Sequence, residues 1–165
     1  MACPLASLPS MSFEKCLLAA QGYLELGMPV EALAELDALP EEDRDAESAM
    51  QLRLFIAMKN HNWDDSLRIC ERMRELHPQA VSGYIHGAFC LHERGLTDAA
   101  LKLLLSGPPA LAEEATYFYN LACYSAVLGH LENALDYVRT SFEMDDKFRD
   151  IAKLDPDLTP LRDLF

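Results

Sequence analysis

The chain has 165 residues, half of them apolar and a quarter charged, which is enough for one domain with its own core. Its 27 acidic residues against 14 basic ones give a net charge of −13, a field that repels phosphate backbones and argues against nucleic acid as a ligand. Five widely spaced cysteines without a CxxC exclude a disulfide framework or zinc knuckle, and no apolar run approaches the ~18 residues of a membrane span. Reduced thiols in the cytoplasm are the expectation.

The chain opens with MACPLASLPSM, residues 1–11. Two prolines and no period predict a mobile tail. The lack of a basic n-region argues against a signal peptide, and Met11 is an alternative start. From there a pattern repeats. LLAAQGYLELGMPVEALAEL begins at Leu17, FIAMKNHNWDDSLRICERM at Phe55, CLHERGLTDAALKLLL at Cys90 and YNLACYSAVLGHLENALDYV at Tyr119. A turn residue recurs at Gly27, His61, Gly95 and Gly129, and a small residue at Ala32, Ser66, Ala100 and Ala134, each series at a spacing of 34. The glycines suit a left-handed helix end, Pro29 suits the first turn of the next helix, and Asn62 and Thr97 suit N-caps. No stretch alternates with period two, so no sheet is expected. Eight helices in four helix–turn–helix pairs follow. Prolines shorten the second helix of pairs one and three, leaving irregular connections around Pro40 and Pro108–Pro109. The acidic EEDRDAE of residues 41–47 lies in the first of these, where it complements a helix N-terminus.

This period and pattern resemble the tetratricopeptide repeat superfamily, over roughly residues 13–146. First helices carry Cys16, Ala19, Ala20 and Tyr23 in repeat one, and Tyr84, Gly87, Ala88 and Leu91 in repeat three. Repeat two departs most, with Leu54 at a small position, though it alone has the terminal proline, Pro78, in register. The expected fold class is all-α: an α-solenoid of four repeats (about 13–46, 47–80, 81–114 and 115–146, within 12–146) with a C-terminal capping segment over 147–165. The ending DPDLTPLR also resembles the tails of many bacterial repeat proteins of this superfamily. The alternative to capping is that the tail folds back into the groove.

The resemblance implies that first helices line a concave face that holds peptides or helices. Repeat one offers Leu17, Gln21 and Leu24 there, and Val127 belongs to repeat four. The candidate binding residues are Leu52, Phe55, Met58, Ile85, His86, Phe89, His92, Tyr119, Asn120 and Cys123, with Phe55 and Phe89 as anchors. The subgroup that clamps a terminal carboxylate needs cations, whereas the matching positions here hold Leu17, Gln21, Leu52, Ser82 and His86, so that role is rejected. The expected function is a non-catalytic module that holds an apolar peptide or amphipathic helix of a partner protein. The alternatives are a small secretion-type chaperone that shields an aggregation-prone client, or a scaffold that self-associates as a homodimer through its tail.

Chemistry finds little support. His86 and Cys90 are four apart on one helix face, but two ligands make a poor zinc site. No HExxH, phosphate loop or GxSxG occurs. No catalytic residue, metal ligand or cofactor is expected. His77 and His92 are expected at the surface, Cys90 in the interior and Trp63 against its own turn.

Overall fold

The computed structural model describes residues 12–165. The N-terminal tail expected over 1–11 lies outside them. The chain forms two compact units, one ending at Ile56 and one running from Ala57 to Phe165. Every regular element among the described residues is helical, and none is long and apolar enough to cross a membrane.

The first unit begins with α1 (Phe13–Glu25) and α2 (Pro29–Asp37), which pack as an antiparallel pair. Ala20 and Ala32 are completely buried where they meet, and small residues there let the backbones approach. Pro40 stops α2 after nine residues. Its last carbonyls would then lack partners, and Arg44 supplies them: Nε donates to the Leu39 carbonyl at 2.9 Å and a terminal nitrogen to the Asp37 carbonyl at 2.7 Å. Arg44 is in position because the acidic connection is itself a turn of helix, α3 (Glu41–Arg44), rather than the irregular segment expected. Next comes α4 (Glu47–Lys59), whose Ala49 and Ile56 join the α1–α2 core and whose Arg53 pairs with Asp37 at 2.8 Å.

In the second unit, α5 (Trp63–Leu76) packs on α6 (Ser82–Glu93), and α6 packs on α7 (Thr97–Leu105). A 3-10 turn (Pro109–Glu113) leads into α8 (Ala115–Val127), which packs on α9 (Leu131–Met144). The chain closes with α10 (Lys147–Leu154) and a nine-residue 3-10 segment (Pro156–Leu164). Proline again explains the lengths: α7 stops after nine residues before Pro108, whereas α5 and α9 run for 14. Gly83 and Gly87 let α6 approach its neighbours closely: a Cβ on Gly83 would lie 3.1 Å from the Cys70 carbonyl oxygen, and one on Gly87 3.2 Å from Leu103 and 3.3 Å from the Cβ of Cys70.

The repeat is visible in the backbone bonds. The amides of Met28, Asn62, Leu96 and His130 each reach back five residues, to the carbonyls of Tyr23, Ala57, Leu91 and Ser125, at 2.8–2.9 Å. That bond closes a helix end through a left-handed residue, and those residues are Gly27, His61, Gly95 and Gly129, with φ of 73°, 54°, 76° and 81°. Asn62 caps α5 as expected, accepting from the amide of Asp65 at 3.3 Å. Thr97 is not a cap: it is the first residue of α7, and its hydroxyl turns to His92 instead.

Helix α8 is buried nearly all round: seven of its residues from Tyr119 to Ala126 are buried. The cause is that α6, α7, α9, the 3-10 turn and the C-terminal 3-10 segment all pack on it. Leu121, Val138, Leu158 and Leu161 are at most 1% exposed, and each contributes about 1.5–3 kcal/mol from burial.

Candidate functional site

The candidate binding residues fall into two groups, one in each unit. In the first, a groove of about 400 Å³ runs between α1 and α4, lined by Leu17, Leu18 and Leu52 with Glu14, Gln21, Ser48 and Gln51. Leucines and polar side chains share its lining. Leu17, Gln21 and Leu52 were legible from the repeat register. Leu18, 71% exposed, was missed because it neighbours a register position rather than occupying one. Leu24 does not contribute, because it is buried in the α1–α2 core. Phe55, one turn after Leu52, is 54% exposed, a large aromatic surface left in water.

In the second unit, Met58, His86, Phe89, His92 and Asn120 are half-buried. Phe89 is not free. It packs edge-on against Trp63 with ring centroids 6.0 Å apart, and Trp63 packs the same way on His61 at 5.2 Å. Burial lowers the His86 pKa from its ordinary value of 6.5, so this ring resists protonation. Ile85, Tyr119 and Cys123, expected on an open face, are buried. Ile85 belongs to the core of the unit. Tyr119 and Cys123 lie beneath the C-terminal segment.

That segment brings carboxylates inward. The Tyr119 hydroxyl donates to Asp155 Oδ2 at 2.7 Å, and the Cys123 thiol reaches the same oxygen at 3.6 Å. The other oxygen of Asp155 accepts the amide of Asp157 at 3.0 Å, capping the 3-10 segment. His92 Nε2 lies 2.8 Å from Asp157 Oδ2, and Nδ1 lies 3.0 Å from the Thr97 hydroxyl. A carboxylate only accepts, so Nε2 carries a hydrogen; in the neutral ring Nδ1 then accepts from Thr97. The ring of His92 also lies 4.8 Å from that of Tyr124, and Phe148 of α10 stacks on Tyr119 at 4.7 Å. His92, read from sequence as a surface side chain, is therefore held on both nitrogens and on its face. The buried Tyr124 hydroxyl meets no hydrogen-bond partner among the described residues.

The donor atoms of Cys123, Asp155 and Asp157 lie within 4.8 Å of one another, close enough to share a metal ion. Here hydrogen bonds join them: each carboxylate accepts a side-chain donor, and burial and the two carboxylates push the Cys123 thiol well above its ordinary range. The other candidate thiol is also inert: Cys90 is completely buried, with its pKa raised by desolvation. Sequence reasoning missed Asp155 and Asp157. The available signal was a pair of acids flanking a proline, followed by the regularly spaced Leu158, Leu161 and Leu164.

No family model and no curated protein matches the chain. Solved structures do. MamA (residues 41 to the end) from Desulfovibrio magneticus RS-1 superposes with a TM-score of 0.72 at 15% identity, covering 90% of this chain and 82% of that one. YrrB, described as a TPR protein with an unusual peptide-binding site, gives 0.68 at 15% identity over 90% and 81%. A MamA of MSR-1 gives 0.65 at 15% identity over 87% and 82%. At this identity the likeness establishes the fold. The described residues are all-α, with the fold of tetratricopeptide-repeat solenoids.

Proposed function

We propose that this chain is a non-catalytic protein-interaction module that holds an apolar peptide or the apolar face of a partner helix. Its plan in this reading is four repeats over residues 12–146 and a capping segment over 147–165. The observation that carries it is the α1–α4 groove with Phe55 exposed beside it. A lining of three leucines among polar groups suits an amphipathic helix better than a charged peptide. That a protein of the same fold, YrrB, is described as binding peptide supports the class of ligand, not its identity. Catalysis forms no part of this reading: burial raises the pKa of the Cys90 and Cys123 thiols, and the one hydroxyl–imidazole–carboxylate contact described, Thr97–His92–Asp157, is read as holding the C-terminal segment.

The test is capture of partners from a native lysate by the wild-type chain and by Phe55→Glu, with circular dichroism to confirm equal helicity. A charge placed in an apolar contact ejects a bound helix. A partner retained by the wild type and lost by the variant supports the reading. Equal retention by a folded variant refutes it. Phe89→Glu is the poorer probe, since Phe89 also holds Trp63.

A further inference from the structure

The C-terminal segment does more than a cap requires. An exposed solenoid end needs apolar cover, which Leu158 and Leu161 provide, at 0% and 1% exposed. Asp155 and Asp157 add nothing to that cover. They instead aim carboxylates at a hydroxyl and a thiol of α8 and an imidazole of α6. In a chain of net charge −13, drawing two of its carboxylates inward needs specific donors, and Tyr119 and His92 are those donors. The segment is also poor as a helix by itself. It is a 3-10 run of nine residues with Pro160 inside, where such runs rarely exceed three or four. It joins α10 at an extended residue, Asp155 (φ −74°, ψ 120°), next to Leu154, which is 85% exposed. Its conformation is thus set by the surface it sits on rather than by its own helix propensity.

We propose that the face of α6 and α8 presenting His92, Tyr119 and Cys123 is a recognition site for an Asp-X-Asp-Leu segment. Residues 155–161 are its resident occupant. They compete with protein partners that carry the same pattern: one carboxylate for the Tyr119 hydroxyl, a second two residues on for His92, then leucines for the apolar floor. This extends the interaction-module reading to a second surface and adds self-regulation to it. Tethering sets the resident at an effective concentration of order mM, so a free segment of equal quality is excluded until the resident is weakened.

The experiment uses the full chain and a fluorescein-labelled peptide copying residues 154–165, read by fluorescence anisotropy. The wild type is expected to bind it weakly. Asp155→Asn/Asp157→Asn, which loosens the resident and leaves the receiving residues intact, is expected to bind at least about ten-fold more tightly. Adding Tyr119→Phe and His92→Gln to that variant is expected to remove the gain. Equal binding by the wild type and the double variant, both helical, overturns the proposal. A second measurement needs no variant: hydrogen exchange of amides 157–164 in the wild type. Exchange at least ten-fold faster than that of α8 supports a detachable occupant, whereas exchange at the rate of α8 makes the segment core and overturns it. The Phe55→Glu capture concerns the other unit, so either reading can fail alone.

Discussion

The hydroxyl of Tyr119 and the carboxylate of Asp155 meet at 2.7 Å although 36 positions separate them in the chain. This contact turns a helix surface that the repeat register leaves open into the floor under the C-terminal segment. Phe148 seals the other side by stacking on the same ring. Burial and the neighbouring carboxylate push the Tyr119 pKa far up, so the hydroxyl remains a donor at any pH where the fold survives.

Tyr119→Phe is therefore expected to lower stability by about 1–2 kcal/mol. The bond is charge-assisted, which raises the figure, but Asp155 is half-exposed and keeps its backbone donor, which lowers it. Asp155→Asn is expected to cost a similar amount. Because the two residues share one bond, the double variant should cost less than the sum of the singles. Urea titration of the four proteins reads this directly. Additive losses would mean that the contact contributes no coupling.

The apolar half of the same segment gives a sharper contrast. Leu158 is completely buried, and Leu158→Ala is expected to cost about 2–5 kcal/mol. Leu154, four residues earlier and 85% exposed, is expected to tolerate alanine within about 0.5 kcal/mol. Thermal or urea midpoints of the pair separate a packed segment from a loosely lying one. A small loss at Leu158 would show that the site collapses or that the segment is already detached.

How much of this was legible in the sequence depends on whether a feature is local. The turns at 27, 61, 95 and 129 were, because a left-handed helix end asks for glycine within its own few residues, and the spacing repeats. The shortened α2 and α7 were, because proline acts on its own helix. The rescue of the α2 end by Arg44 was not, since it depends on α3 forming and carrying Arg44 back to it. The fate of His92 was not either. Its register position points to a ligand face, and only a contact 65 residues away, to Asp157, shows that the face is filled from within. Thr97 shows the same limit: its sequence position suits a cap, yet its hydroxyl serves His92. Groove residues near the covering segment were thus misplaced as open, while Leu17, Gln21 and Leu52, which lie in the other unit, line an open groove.

His61 tests the turn physics. It occupies, at φ 54°, the place that glycine holds in the other three repeats. At Gly95 an added Cβ would meet nothing within 4 Å, so Gly95→Ala isolates the backbone strain and is expected to cost about 1–2 kcal/mol. His61→Gly relieves the same strain but adds freedom to the unfolded chain and loses the edge contact to Trp63. These effects oppose, so the change is expected to stay within about 1 kcal/mol. Chemical denaturation of both variants decides it. A neutral Gly95→Ala would mean that the turn has relaxed out of the left-handed region.

His86 makes stability depend on pH, with a definite sign. Its folded pKa lies below the ordinary 6.5 because burial penalises the charged ring. Between the folded and unfolded values the unfolded chain binds the proton and the folded chain does not. Stability therefore rises with pH through that window and is lost as pH falls below about 6.5. His86→Gln, polar but without a titrating proton, is expected to remove this component. The measurement is the urea midpoint of wild type and variant at pH 7.5 and pH 5.0. The wild type should lose more on acidification than the variant, and the difference between the two curves cancels the other histidines and the carboxylates. Parallel curves would mean that the folded state opens enough to hydrate His86, and the partly buried face of α6 around it would then be a mobile surface rather than a fixed one.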